Sequence, residues 1–259
     1  MMVTARVDIA PALTLMLDPA GRGEVNMARD VALLDACARG DMSGAVRLYG
    51  FSPPCVSIGR LQPVSDIDVE RCARDGVEVV RRPSGGRAVL HDQEVTYTVV
   101  CRTADAHFGG TVLESCARIH EAVAVGLLTL GIATTAQGRP GDVRAHARAL
   151  SASPDCFARP AAHELLDAEG HKLVGSAQAR RGPALLQHGS VLLEPARAAP
   201  YLGVDSTTGG SSAGLRGLLG RYVTEREVRT ALVAGFADVL GARLCDEKGD
   251  FHHPARATA

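Results

Sequence analysis

The chain has 259 residues, 46% of them hydrophobic, and a formal net charge of −1, so it can bury a substantial core and carries no overall charge bias toward nucleic acid or an anionic membrane. No apolar run approaches the roughly 18 residues needed to span a bilayer, the first residues lack a basic-then-apolar signal pattern, and the seven cysteines have neither paired nor metal-type spacing. This excludes a membrane-spanning or disulfide-framework protein and predicts a cytoplasmic one with reduced thiols.

Residues 3–17 carry short apolar groups that begin a sheet, and apolar residues at helical spacing from Glu24 to Cys37 predict a first helix stopped at Gly40. Residues 45–51 and 55–59 read as two strands joined across Ser52-Pro53-Pro54, and 68–75 as a short helix. Val77, Val79 and Val80 end one strand and Val95-Thr96-Tyr97-Thr98-Val99-Val100 alternates as another, so the segment between them reads as a loop held on a sheet. Leu113, Cys116, Ile119, Val123, Leu127 and Leu130 line a helix that ends at Gly131. Residues 137–154 read as a surface excursion, 162–166 and 172–178 as strands around a turn, and 184–193 as a strand bent near Gly189. The Gly/Ser/Thr-rich stretch 203–217 reads as mobile, and Thr224-x-x-Glu227 opens a helix lined by Val228, Leu232, Phe236 and Leu240. A single domain over 1–245 is expected, with a disordered tail over 246–259.

Two features carry chemistry. In the loop, Gly85-Gly86 lets backbone approach a ligand without a Cβ in the way, and Arg81, Arg82 and Arg87 surround that approach with guanidinium groups, which suits an anion or a polarised acyl group. An ordinary hairpin with solvated arginines fits the spacing equally well, and neither a phosphate loop nor a dinucleotide loop is present. The second feature is Lys172, one of only two lysines in an arginine-rich chain. A nearby ammonium lowers a thiol pKa and makes a cysteine nucleophilic. Cys156 lies upstream across what reads as a strand and a turn, although any one cysteine is more often a small buried hydrophobe. His91 and His188 are open between structural and substrate-orienting roles, and His252-His253 lacks ligand spacing, so no metal is assigned.

Arg81-Arg82-x-Ser84-Gly85-Gly86-Arg87-Ala88-Val89-x-His91-Asp92 resembles the signature of the biotin/lipoate A/B protein ligase and transferase superfamily. Cys156-Phe157-x-x-Pro160-x-x-x-Glu164-Leu165, Gly170-x-Lys172-x-Val174-Gly175-Ser176-Ala177-Gln178 and Leu186-Gln187-His188-Gly189-Ser190 resemble the LipM-type octanoyltransferases. The resemblance implies an α+β catalytic domain with a central mixed or largely antiparallel sheet flanked by helices, Cys156 as nucleophile and Lys172 as its polarising partner. It implies a substrate site at Arg81, Ser84, Gly85, Gly86, Arg87, Ala88, His91, Gly175, Ser176, Ala177 and His188. The implied donor is octanoyl-acyl carrier protein and the acceptor a lipoyl-domain protein, the glycine cleavage H-type protein among the candidates. No cofactor is needed, because the incoming thioester is already activated. The alternatives are an ATP-dependent lipoate-protein ligase, with ATP and Mg²⁺ around Lys172, and a non-catalytic acyl- or biotinyl-binding module.

Overall fold

The structure, a computed structural model, describes residues 12–136, 154–157, 164–202, 212–241, 244–246 and 248. The expected excursion over 137–154 apart from its last residue, positions 203–211 of the Gly/Ser/Thr-rich stretch, and the expected tail except Asp246 and Lys248 lie outside the described residues.

The elements in chain order are β1 (Leu13–Gly21), α1 (Gly23–Arg39), β2 (Gly44–Phe51), β3 (Cys55–Ile58), α2 (Val69–Arg74), β4 (Glu78–Arg81), β5 (Val89–His91) and β6 (Glu94–Arg102). They continue with α3 (Val112–Thr129), β7 (Thr135–Ala136), β8 (Leu165–Leu166), β9 (Lys172–Arg181), β10 (Ala184–Leu192), α4 (Leu215–Leu219), α5 (Glu225–Leu240) and β11 (Leu244–Asp246). Among the described residues, eight strands form one sheet in the order β11-β1-β2-β6-β10-β9-β8-β7, and β4-β3-β5 form a small second sheet. The β1 pairings with β11 and β2 are parallel and the others of the large sheet antiparallel, so the sheet is mixed and largely antiparallel, as expected.

Every residue of β2 and β10 is buried, because both faces of the sheet are covered. On one face, α3 and α5 bury Ile119, Val123, Leu127, Val228, Leu232 and Phe236 against β1, β2 and β6. On the other, α1 buries Leu33, Leu34 and Cys37 against Val100 and Leu186. Capping boxes at Thr111/Glu114 and Thr224/Glu227 start α3 and α5, and Gly40, with φ +84°, ends α1 in the left-handed conformation. Where α3 crosses α5, glycine lets the two backbones touch. A Cβ on Gly126 would sit 2.6 Å from the Ala231 carbonyl, and one on Gly235 would collide with the Ala122 carbonyl and the Gly126 backbone.

Three readings change. The segment between Val80 and Val95, read as one loop, contains β5; the Gly85-Gly86 connection runs from β4 to β5 on opposite sides of β3, so it crosses the end of β3 and is not the ordinary hairpin that the spacing also allowed. Gly189 is not at a bend, since β10 pairs with β6 in unbroken register; glycine is needed there because a Cβ would meet the Tyr97 ring at 2.6 Å. The helix Leu215–Leu219 begins within the last three residues of the stretch read as mobile, with Leu215 fully buried.

Replacing a mid-helix glycine by alanine ordinarily stabilises a helix by about 1 kcal/mol. Gly235→Ala should instead destabilise by about 1–3 kcal/mol, as overpacking does, in urea unfolding. Unchanged or raised stability would show that α3 and α5 can separate freely.

Candidate active site

Cys156 is moored to the residue that follows the glycine loop. Its amide donates to the Ala88 carbonyl at 3.0 Å, and the Ala88 amide donates to the Pro154 carbonyl at 3.0 Å, so the two segments run as a parallel bridge. The Asp155 carboxylate accepts from the Phe157 amide at 2.8 Å, an Asx turn with Cys156 at its apex. The half-buried thiol packs against the cluster of Val89, Phe157 and Leu192.

Lys172 starts β9 and is only 1% exposed. Its Nζ donates to the Cys156 carbonyl at 2.7 Å, lies 3.6 Å from Cys156 Sγ and forms an ion pair with Glu164 Oε1 at 2.6 Å. The ammonium also lies 4.8 Å from the centre of the Phe157 ring. A Cβ on Gly175 would stand 3.1 Å from both Lys172 Cε and Phe157 Cζ, so glycine leaves the lysine room to bend toward the thiol. Burial alone would lower the Lys172 pKa, but Cys156 and Glu164 hold it above the usual lysine value. The thiol behaves otherwise than the sequence suggests: burial pushes its pKa above the ordinary cysteine value, Glu164 and Asp155 add to the rise, and Lys172 and Arg82 only oppose it. Lys172 is therefore a counterweight that limits the cost of a thiolate.

The loop is held from within by Arg82. Its guanidinium donates to the carbonyls of Ser57 (2.9 Å), Gly85 (2.7 Å) and Arg87 (2.6 Å) and to the hydroxyl of Ser84 (3.2 Å). Gly86 has φ +88°, and a Cβ there would lie 2.9 Å from Arg82 Nη2 and 4.0 Å from Ala177 on β9. Gly85 is exposed, with open space where a Cβ would be. Ser84 meets His188 Nε2 at 2.5 Å, and His188 Nδ1 meets Asp30 Oδ2 at 3.2 Å. Burial lowers the His188 pKa, so the ring is neutral: its Nδ1–H donates to Asp30 and its Nε2 accepts from Ser84. Asp30 also takes Arg47 Nη1 at 2.7 Å, the Tyr49 hydroxyl at 3.0 Å and the Thr98 hydroxyl at 2.9 Å. Despite burial, His188 and Arg47 keep its carboxylate below the usual aspartate value.

The structure thus brings Cys156, Lys172, Ala88, Gly86, Gly175 and Ala177 together, with Ser84 and His188 behind the loop. Others stand apart. Arg81 turns away to donate to the carbonyls of Gly59, Arg60 and Gln62, at 2.7, 3.0 and 2.9 Å. Arg87 reaches toward Asp66 at 4.0 Å. Ser176 points to the other face of β9, toward Tyr97 and Cys116. His91 is buried, with Nδ1 at 2.7 Å from Glu94, Nε2 at 2.7 Å from Ser57 and its ring stacked on Phe51, so it braces the loop's floor. Asp30 and the role of Glu164 went unassigned in the sequence, and Arg82, read there as one of three guanidinium groups around a ligand, instead donates to backbone carbonyls of Ser57, Gly85 and Arg87. Glu164 carried a signal, because a buried lysine requires a carboxylate nearby and Glu164 is part of the Cys156 motif.

Lys172→Met should cost about 3–5 kcal/mol in urea unfolding, since it leaves Glu164 buried without its ammonium, and should slow iodoacetamide alkylation of Cys156 at fixed pH. Adding Glu164→Gln should restore most of the stability; a double variant as unstable as the single one would break the pairing argument. Gly86→Ala should destabilise by about 1–2 kcal/mol because of its positive φ. Gly85→Ala should leave stability within about 0.5 kcal/mol, because a Cβ there meets open space, and a larger loss would show that the loop closes over it.

Residues 22–237 match the family model of the lipoyl protein ligase A/B catalytic domain. The chain is 40% identical over 251 residues to Octanoyltransferase LipM of Kyrpidia tusciae, covering 92% of this chain and 90% of that protein. It is 36% identical over 253 residues to the Symbiobacterium thermophilum protein of the same name, covering 88% and 87%. Among solved structures, a lipoate-protein ligase A bound with ATP superposes with a TM-score of 0.69 at 23% identity, covering 95% of this chain and 90% of that one. A bi-partite lipoate protein ligase from Thermoplasma acidophilum gives 0.66 at 23% identity, covering 96% and 88%, and both likenesses bear on the fold alone. With its mixed sheet, its glycine loop and the match across most of its length, the chain belongs to the lipoyl protein ligase A/B catalytic-domain family, and the two relatives named above are LipM octanoyltransferases.

Proposed function

We propose that this acyltransferase carries an octanoyl group from the phosphopantetheine thioester of an acyl carrier protein to a lysine of a lipoyl-domain protein, such as one of the glycine cleavage H type, by way of a thioester on Cys156. The observation that carries the reading is the ammonium of Lys172, 3.6 Å from Cys156 Sγ and fixed by Glu164. The octanoyltransferase name borne by its relatives supports it.

In the first step Cys156 sulfur attacks the donor carbonyl, the donor C–S bond breaks, and the thiol proton ends on the departing pantetheine sulfur. Lys172 lowers the cost of the thiolate on the way, and Arg82 adds a second positive charge. In the second step the acceptor lysine, having lost its extra proton to solvent, attacks the Cys156 thioester. The C–S bond breaks, an amide forms, and the sulfur recovers a proton. Both steps start from a thioester, so the transfer runs without ATP or Mg²⁺. Burying the octanoyl tail at about 0.8 kcal/mol per methylene supplies several kcal/mol of binding. Among the described residues no helix is long and apolar enough to cross a membrane, and all seven cysteines are free thiols, consistent with a reaction in a reducing cytoplasm.

Purified protein should move octanoyl from the carrier protein to an apo lipoyl domain without ATP, and Cys156→Ser should lose that transfer while keeping the wild-type fold. Near-normal transfer by Cys156→Ser, or a requirement for ATP with free lipoate, would sink the covalent mechanism.

A further inference from the structure

We propose that the turn over residues 59–62, with Arg81 and Arg87 beside it, is the docking face for the donor carrier protein, which meets it with an acidic surface and an anionic phosphopantetheine arm. This rests on the transferase reading above.

Leu61 is 85% exposed, the most exposed large apolar side chain among the described residues, and Arg60 beside it is exposed too. The turn is not a loose tip. Arg81 ties three of its carbonyls, the Arg60 amide donates to the Ser84 carbonyl at 2.8 Å, and Gln62 donates to Asp66 at 3.1 Å and to the Pro154 carbonyl at 3.3 Å. The constrained turn holds Leu61 outward, so its apolar surface stands in water beside the arginines, where a partner can cover it. On a chain with net charge −1, Arg60, Arg81 and Arg87 place three guanidinium groups around this turn, with the Asp66 carboxylate 4.0 Å from Arg87.

The face leads to the nucleophile. The Arg60 amide bonds to the residue before Gly85, both loop glycines are exposed, and Ala88 pairs with the Cys156 segment. An extended arm laid over Gly85-Gly86 therefore reaches Cys156 from this side. An arginine rim attracts a phosphate and repels the cationic lysine of an acceptor. The cavity of about 440 Å³ beyond Leu192 and Ala196, which pack at Cys156, has no such rim: its lining mixes Asp92, Glu94 and Glu194 with Arg197 and Arg216, and Glu194 pairs with Arg216 at 3.3 Å. The donor thus fits the arginine face better than the acceptor does.

Arg60→Glu and Leu61→Asp separate the possibilities. Cys156 acylation would be timed with octanoyl-acyl carrier protein and with the small thioester octanoyl-N-acetylcysteamine, and the acylated enzyme then chased with an apo lipoyl domain. Each variant should slow acylation by the carrier protein on the order of tenfold at low salt, with the Arg60→Glu deficit shrinking as salt rises. Acylation by the small thioester and the chase should match the wild type. An unchanged rate with the carrier protein overturns the proposal, as does a loss confined to the chase, which would give the face to the acceptor. Wild-type enzyme that forms no thioester with either donor would sink the transferase reading, and the docking face with it.

Discussion

The buried ammonium of Lys172 is the constraint around which the site is arranged. An uncompensated cation in a protein interior costs several kcal/mol, so the chain must bring it an anion and polar partners. Glu164 supplies the charge at 2.6 Å and the Cys156 carbonyl a second acceptor at 2.7 Å. Meeting that demand also solves a catalytic problem. The backbone that satisfies the lysine belongs to the cysteine, so the bond that stabilises the charge holds the thiol against it. The price is that Glu164, needed to keep the lysine charged, also disfavours the thiolate. The resting site therefore keeps its sulfur protonated and becomes nucleophilic as the thiolate and ammonium stabilise each other.

A second buried network performs the same service for the loop. Asp30 on α1 collects Arg47, Tyr49, Thr98 and His188, and through His188 reaches Ser84. Arg47 is secured in turn by Asp18 at 2.6 Å and Asn26 at 2.7 Å. Five elements, β1, α1, β2, β6 and β10, thereby fix one serine at the entry to the double glycine. Arg82 completes the loop from below, spending its donors on backbone carbonyls. With its shape set by buried groups, the loop leaves its two glycines exposed, a few residues from the Ala88 that pairs with the Cys156 segment.

Periodicity carried much of the fold in the sequence: α1, α3 and α5 run where apolar spacing put them, the last opened by the Thr224-x-x-Glu227 box, and β6 was legible in the alternation of Val95 to Val100. What stayed hidden depends on pairing across long separations. Nothing local in Val89-Leu90-His91 says that it adds to the far side of β3, and Gly189 looks like a bend until Tyr97 is known to lie beside it. In the site, Cys156 and Lys172 were legible as a rare lysine near a cysteine in a polar segment. The three arginines were not separable, because only the tertiary structure decides that Arg82 turns inward, Arg81 toward the neighbouring turn and Arg87 toward Asp66. Burial had the same effect on the thiol, whose pKa the lysine alone would have lowered.

The account turns on the acyl group resting on Cys156. Peptide mass spectrometry of the wild-type protein, mixed with octanoyl-acyl carrier protein in the absence of ATP and quenched in acid, tests this most directly. The expected result is one octanoyl group on the peptide containing Cys156, removed by neutral hydroxylamine as a thioester is. An unmodified Cys156 in a preparation that still acylates a lipoyl domain would contradict it.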